Sequence, residues 1–542
     1  MLTRVSPSFL RVGQLELHAK EKSTDEFATL FGYVLWRDFG DYLDCGTSAV
    51  KQQCSFGGIF DENQIVHGKN DKDHYSSTST STAAIARNRA ALRKLITVHN
   101  LKVFFVVFAH RQALLHADWL RVGYVQGNMN SDNALLCGYS VDYGPFGFLD
   151  GPFRSKWCPW VGGGDKFSYS QQPLAGKVIL STLARRILRS GKLLEILAEN
   201  SENHASEEDS DNKDTINKRI SKQNELENFV DSLVDRYMKD IFRTYHDANA
   251  RARLGFGPSE QQVQEIQLLY LLTDAHATVD SQHKHSNPSS TTGPSYHQEQ
   301  EQNRCDPACS SSARLALLEK RPRATAARRL LAEFESSSRF SPRTARAASS
   351  SNKKSAVLKL YDELETLMER ENMDFIFTLR GLSDVRDGFE SSYQILFDPQ
   401  PFRRSLGFEV HDRSSEAGSG ETLQLPQAFR KWLLKWRDLL AKEQGLQMQR
   451  SASSSISSTT PSFLLPPETR RTMKQTSPSL TPRNWILTEA YEAAERGNFS
   501  LVQELYELFA KGGAYHDYPE DTRWVRTTPP WAREKAGVHY MS

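Results

Sequence analysis

Apolar positions recur at helical spacing along most of the chain, and this pattern predicts a mainly α-helical protein. A helix is expected to begin after Ser23, because Ser23 and Glu26 have the spacing of a capping box. One apolar face follows it: Phe27, Leu30, Phe31, Val34 and Leu35. Residues 83–122 are apolar on several faces, which predicts two buried helices.

Further helical patterns cover the middle and the C-terminal part of the chain. Residues 173–198 read as a single helix, and residues 226–245 carry an apolar stripe of the kind that faces a core. The pattern returns at 357–382, 427–443 and 484–511, the last with a turn at Gly497 and Asn498.

Polar, low-complexity stretches separate these helices and predict the domain organisation. We expect a first, mainly helical portion at 1–275, with loop inserts near 68–82 and 199–217. A disordered Ser/Gln/Arg-rich insertion is expected at 276–355, with a transient helix at 313–334. It precedes a helical C-terminal region at 356–446, a disordered Ser/Thr/Pro-rich linker at 447–480, and a C-terminal helix and tail at 481–542.

Composition narrows the class of protein without identifying it. The chain has 542 residues, 38% hydrophobic content and a formal net charge of +2. Such a balanced charge gives no reason to expect a nucleic-acid or membrane partner, and we expect a monomer. The most apolar run, residues 103–109, is far shorter than the ~20 residues that span a bilayer. The six cysteines are too sparse for a disulfide framework.

The densest candidate chemistry lies between Gly123 and Asp150. Oxygen-bearing side chains are packed into this span among several glycines: Asn130, Asp132, Asn133, Asp142 and Asp150. Carboxylate and amide oxygens are the ligands that Mg²⁺ prefers, and glycines allow a backbone to turn sharply. The plainer alternative is that these polar residues only cap turns around a helical core, and an isolated Asp-Asn pair would favour it.

A resemblance to a known family adds to this picture. Residues 130–133 (NSDN) and 142–150 (DYGPFGFLD) resemble the metal-binding motifs of the selenoprotein O family, kinase-like proteins that transfer AMP from ATP to protein hydroxyls. Residues 4–11 (RVSPSFLR) resemble the family's RVAPSHLR segment. Near the C-terminus, Arg483-Asn484-Trp485 and Pro529-Pro530-Trp531 resemble two further family motifs.

The resemblance implies a fold and a set of roles. It implies a kinase-like C-lobe with additional C-terminal helices, a site for Mg²⁺ and ATP, and protein substrates that carry Ser, Thr or Tyr hydroxyls. Asp132 would be the catalytic base, Asn133 and Asp142 would hold the metal, and Arg4, Arg11 and Asp142 would bind the nucleotide. The resemblance also implies a mitochondrial location, with the cytoplasm as the alternative.

The chain departs from the family pattern in several places. The family's nucleotide-binding lobe precedes the RVAPSH segment, whereas here Arg4 is the fourth residue, and we expect that lobe to be absent. Gln126 and Phe9 replace family histidines. Cys158 matches a family cysteine whose C-terminal partner, expected near Tyr540, is missing. The second hypothesis is therefore a catalytically inactive pseudokinase remnant that binds proteins through its Ser/Arg-rich insertions.

Overall fold

A computed structural model describes the greater part of the chain. The described residues are 6–43, 82–141, 145–202, 213–259, 322–338, 354–385, 387–391, 394–397, 402, 424–444, 465–519, 522–535 and 538. Arg4, Asp142 and the predicted loop insert at 68–82, except for its last residue, lie outside these residues.

The described part is mainly α-helical, as the apolar pattern predicts. The helices are α1 (Val12–Glu21), α2 (Thr24–Asp38), α3 (Thr82–Arg93), α4 (Val98–Val122), α5 (Gln172–Leu188), α6 (Lys192–Glu202), α7 (Lys213–Arg236), α8 (Arg243–Arg253), α9 (Pro322–Ser338), α10 (Ala356–Arg370), α11 (Phe375–Gly381), α12 (Gln427–Glu443), α13 (Pro467–Thr476), α14 (Asn484–Glu495), α15 (Ser500–Glu507) and α16 (Pro530–Glu534). A π-helical turn, Tyr237–Phe242, joins α7 to α8.

Strands are few and short. The strands β1 (Tyr124–Val125) and β2 (Gly147–Phe148) pair antiparallel, as do β3 (Asp387–Ser391) and β4 (Gln394–Phe397). The β1–β2 pair closes the loop that carries the candidate chemistry.

Helix α4 is the centre of the main hydrophobic core. It packs against α5, α7, α8 and α9, and its apolar run from Val103 to Ala109 is almost fully buried. Gly123 ends α4 in the left-handed conformation, with φ of 74°, which an L side chain adopts only at a cost. The predicted buried helix segment is confirmed, and α4 delivers the chain directly to β1. No helix of the described part is long and apolar enough to cross a membrane.

Several predicted boundaries are confirmed, and others are wrong. The Ser23–Glu26 capping box is present at the start of α2, and α12 has the predicted bounds. The single helix predicted at 173–198 is instead two helices, because Gly191 adopts a positive φ of 72° between α5 and α6.

Two segments predicted as disordered contain packed helices. Within the 276–355 insertion, α9 buries five residues against the core: Ala326, Ala327, Leu330, Leu331 and Phe334. Within the 447–480 linker, α13 buries Met473 in the same core. Local composition is polar in both segments, and the burial arises from contacts with distant helices that composition does not report.

A smaller hydrophobic cluster organises the C-terminal helices. Trp485 and Trp524 are almost fully buried in it and lie 5.9 Å apart between ring centroids. Phe377 of α11 belongs to the same cluster, so α11 connects the C-terminal helices to the main body.

Candidate active site

The loop between β1 and β2 is held at its base by one buried amide. Gln172, the first residue of α5, is fully buried. Its side-chain nitrogen donates to the carbonyl of Tyr124 (2.9 Å), and its side-chain oxygen accepts from the backbone N–H of Gln126 (2.9 Å). Gly127 then turns the chain with φ of 76°, where a Cβ would lie 2.0 Å from the carbonyl oxygen of Pro145. The loop can close only with glycine at this position.

Asp132 and Asn133 lie in a single 3-10 turn, Ser131–Asn133, within this loop. The segment before α1 is hydrogen-bonded to the residues that follow the turn. The backbone N–H of Val12 donates to the carbonyl of Ala134, and that of Leu136 donates to the carbonyl of Leu10, both at 2.9 Å. The structure therefore brings the N-terminal segment, far away in sequence, against the candidate metal motif.

Arg11 is the residue that this pairing places beside the turn. Its backbone forms an antiparallel bridge with Leu135. Its N–H donates to the side-chain oxygen of Gln14 (3.0 Å), so the backbone caps α1 through Gln14. The exposed guanidinium forms no ion pair with any carboxylate of the described residues. An arginine in this state can bind an anion such as a phosphate.

Asp132 lies directly against the first turn of α1. A Cβ placed on Gly13 would be 2.1 Å from Asp132 Oδ1 and 3.0 Å from its Cγ. The absence of a side chain at residue 13 is therefore what makes room for this carboxylate. The N-terminus of a helix carries a partial positive charge, which favours an anionic group at this place. Asp132 is exposed, so its carboxylate is accessible from solvent.

Glu16 is a second carboxylate of the site, and sequence reasoning missed it. Burial raises the pKa of Glu16, and the nearby charge of Asp132 raises it further, whereas Ser131 and Arg186 oppose the shift. Its Oε1 atom is buried without a hydrogen-bond partner among the described residues. Glu16 follows Gly13 by one helical turn, but nothing in the local sequence marks it, because its neighbours come from the loop and from α5.

The amide groups around Asn133 fit a hard cation. The side-chain nitrogen of Asn133 donates to the carbonyl of Asn128 (3.1 Å), and its side-chain oxygen accepts no hydrogen bond from a described residue. Asn128 Oδ1 is buried and also has no partner in the described part. Amide oxygens without donors, next to carboxylates, are suitable ligands for Mg²⁺. The described residues contain no group of three or more His, Cys, Asp or Glu side chains arranged to hold a metal.

The predicted site residues therefore divide into two sets. Arg11, Asp132 and Asn133 are brought together around the 3-10 turn. Arg4 and Asp142 lie outside the described residues, so their predicted roles stay predictions.

Asp150, part of the same oxygen-rich span, faces the protein interior. It lies 3.6 Å from the guanidinium of Arg483, and both side chains are nearly inaccessible. Burial raises the pKa of Asp150 to about 6. Arg483 also pairs with the buried Asp374 at 2.9 Å. The Asp150–Arg483 pair thus links the loop to the C-terminal helices.

The structure describes the surroundings of Gln126 and Cys158, two residues at which the chain was compared with the family pattern. Gln126 is buried and its side-chain oxygen accepts a hydrogen bond from the hydroxyl of Tyr124, so it supports the loop from inside. Burial raises the pKa of the Cys158 thiol, which lies near the carbonyl of Gly127 at 4.0 Å. Tyr540, near which the partner cysteine was expected, lies outside the described residues.

Comparison with known proteins agrees with this picture. A family model described as "Protein adenylyltransferase SelO" matches residues 1–510. The chain is 22% identical over 442 residues to "Protein nucleotidyltransferase YdiU" of Xanthomonas axonopodis pv. citri, a match that covers 81% of this chain and 53% of that protein. The chain thus spans about half the length of that relative.

Two shorter matches are consistent with the first. The chain is 28% identical over 187 residues to "Protein adenylyltransferase SelO, mitochondrial" of Mus musculus, covering 34% of this chain and 23% of that protein. It is 42% identical over 78 residues to "Protein nucleotidyltransferase YdiU" of Ralstonia nicotianae, covering 14% and 15% respectively. None of these matches supports the expectation that the family's nucleotide-binding lobe is missing. Since the family model covers nearly the whole chain, the protein belongs to the SelO family of protein adenylyltransferases.

Proposed function

We propose that this protein transfers AMP from ATP to Ser, Thr or Tyr hydroxyls of other proteins and releases pyrophosphate. The observation that carries the proposal is the juxtaposition of Asp132, on the 3-10 turn, with the N-terminus of α1 and the exposed Arg11. A base and an anion-binding group next to each other are what nucleotidyl transfer requires, because such chemistry depends on positioning and on charge neutralisation. The fold that would support it is a kinase-like C-lobe with additional C-terminal helices.

Asp132 would act as the general base. Its exposed carboxylate would accept the proton of the substrate hydroxyl as the hydroxyl oxygen attacks the α-phosphorus. Contact with Gly13 limits the positions that the carboxylate can occupy, so helix α1 orients it. The partly buried Glu16 would act through this arrangement as a positioning residue that restricts Ser131 and Asp132.

Arg11, together with Arg4, would bind the phosphates of ATP. A guanidinium without an ion-pair partner retains its full capacity for charge-assisted hydrogen bonds to phosphate oxygens. Asn133 and Asp142 would hold Mg²⁺, and the bound ion would neutralise negative charge on the phosphates. The amide oxygens of Asn128 and Asn133, which lack donors in the described part, support this assignment.

Labelled ATP tests the proposal directly. ATP labelled at the α-phosphate should leave its label on generic protein substrates, whereas ATP labelled at the γ-phosphate should not. Asp142→Ala should abolish the transfer. A γ-label on the substrate would indicate a kinase, and undiminished AMP transfer by Asp142→Ala would contradict the assignment of Asp142.

The mitochondrial location is also a proposal, and it rests on the name of the mouse relative. Imaging of a fluorescent fusion, expressed from the complete coding sequence in the source organism, would test it. Signal that coincides with a mitochondrial dye is expected, and uniformly cytoplasmic signal would contradict the proposal.

A further inference from the structure

Two clefts extend from the candidate active site along the exposed face of α5. The first has a volume of about 480 Å³ and is lined on one side by Met129, Asn130 and Ser131 of the site loop. The rest of its lining comes from residues 165–167, which include Asp165 and Lys166, and from α5, where Leu174 and Val178 expose 46% and 55% of their surface. Large apolar side chains that remain exposed beside a reactive group are typical of a binding surface.

The second cleft continues the first along the same helix. It has a volume of about 400 Å³, shares Thr182 with the apolar cleft, and is lined by four basic residues: Lys20, Arg185, Arg186 and Arg189. We call these four residues the basic cluster. The two clefts therefore form one surface that is apolar at its start and positively charged at its end.

The charges of the basic cluster are incompletely neutralised within the chain. Lys20 forms an ion pair with the exposed Glu21 (3.2 Å), and Arg186 interacts electrostatically with the partly buried Glu16. Arg185 and Arg189 are exposed and have no carboxylate of the described residues within ion-pair distance. Basic residues near the end of α5 also complement the partial negative charge of its C-terminus. Three exposed arginines within five residues carry more positive charge than is needed to balance that partial charge. Such an excess attracts an acidic partner.

Asp132 is connected to both clefts through its neighbours. Its neighbour Ser131 lines the apolar cleft and forms a side-chain hydrogen bond with Glu16. Glu16 in turn interacts electrostatically with Arg186 of the basic cluster. Along α1, Gly13 touches Asp132 and Lys20 lines the basic cleft. Seven residues of helix correspond to a rise of about 10 Å, which an extended peptide covers in about three residues.

We propose that this surface binds the protein substrate as an extended segment with a defined pattern of side chains. The acceptor hydroxyl would lie at Asp132, an apolar side chain would occupy the cleft beside Leu174 and Val178, and acidic residues would contact the basic cluster. The acidic residues would stand about three or four positions from the acceptor, on the side opposite to the apolar residue. This inference rests on the proposed function and defines the class of protein segment that the enzyme modifies.

The test uses fluorescein-labelled peptides and the full chain. One peptide has a central Ser, a Leu on one side, and two Glu about three and four residues to the other side; a second has the reverse order, and a third carries Lys in place of Glu. Fluorescence anisotropy gives the affinity, and α-labelled ATP reports AMP transfer to the same peptides. One of the two Glu peptides should bind at least about tenfold more tightly than the Lys peptide at low salt, and the preference should weaken as salt screens the charges.

Paired charge reversals identify the surface responsible. Arg185→Glu with Arg189→Glu should abolish the preference for Glu peptides. Lys431→Glu with Lys442→Glu is the matched control, because both lysines are exposed on α12 and Lys442 lies in its last turn, as Arg185 does in α5. The control should retain the preference. Val178→Ser should weaken binding of the Leu-containing peptides without changing the preference for Glu over Lys, because it removes apolar surface and adds no charge.

The outcomes separate this inference from the proposed function. Glu-peptide binding that depends on Arg185 and Arg189, without AMP transfer, would support the surface and contradict the proposed function. AMP transfer with no preference for Glu, or one unaffected by the arginine reversals, would overturn the surface alone. Tighter binding of single-stranded nucleic acid or of anionic lipid vesicles through the same arginines, with no preference among peptides, would also overturn it.

Discussion

The contact between Gly13 and Asp132 allows the carboxylate to be displaced without removing any functional group. In Gly13→Ala, the new Cβ would be 2.1 Å from Asp132 Oδ1, and real Cβ atoms essentially never approach another atom more closely than 3.0 Å. The oxygen must therefore retreat by roughly 1 Å, and a misplacement of that size can lower a rate by about 10²-fold. Because Asp132 is exposed, its side chain can move at little cost in folding free energy.

Stability and activity should therefore change in opposite directions. Alanine within a helix is more favourable than glycine by about 0.5–1 kcal/mol, so Gly13→Ala should unfold at an equal or slightly higher denaturant concentration than the parent. Its initial rate of AMP transfer from α-labelled ATP should fall by about 10²-fold. Gly257→Ala is the control, because a Cβ there meets no atom within 4 Å, and its rate should match that of the parent.

The stability and the AMP-transfer rate of Gly13→Ala together test whether the position of Asp132 against α1 matters for the chemistry. A Gly13→Ala protein that is stable and transfers AMP at the parent rate would show that the position of Asp132 against α1 is irrelevant to the chemistry. A protein that loses activity together with stability would also contradict the reasoning, since the inferred contact concerns only the carboxylate.

Two further predictions concern the buried polar groups that support the site. Arg483→Met should lower the free energy of unfolding by about 3–5 kcal/mol, because it leaves the buried Asp374 carboxylate without its ion-pair partner at 2.9 Å. Urea denaturation measures the loss, and Arg496→Met, at an exposed arginine, serves as the control. A loss below about 1 kcal/mol for Arg483→Met would contradict the role of the pair. Burial lowers the pKa of His116 to about 3, below its unfolded value of about 6.5. As the pH falls from about 6.5 towards 3, the unfolded state therefore binds a proton that the folded state does not, and the free energy of unfolding of the parent should decrease. The stability difference between the parent and His116→Gln should accordingly narrow over that range in denaturation at several pH values, and a difference independent of pH would exclude the proposed linkage.

The helices were predictable wherever local signals and burial agree. The capping box at Ser23 marks the start of α2, and apolar residues on several faces mark α4 as a central helix. The break between α5 and α6 also has a local cause, because Gly191 adopts a positive φ. It was missed because apolar residues continue on both sides of this glycine. Helix α9 was underestimated because its sequence is polar on average and its burial comes from contacts with the distant helices α4 and α7.

The site was predictable to the extent that it is local. Asp132 and Asn133 are neighbours in sequence, and the glycine-rich span identified them as candidate chemistry. The proximity of Arg11 to this turn followed from the family resemblance. Glu16 could not be found, because its partners Ser131 and Arg186 reach it only through the packing of three separate segments.

The central claim is that Asp132 accepts the proton of the hydroxyl that receives AMP. The most direct measurement is the single-turnover rate of AMP transfer by Asp132→Asn at saturating ATP, with ATP affinity measured separately. Asparagine keeps the shape of the side chain but is not a base, so the rate should fall by about 10²–10⁴-fold while ATP affinity stays within about twofold of the parent value. An Asp132→Asn protein that transfers AMP at the parent rate would contradict the claim.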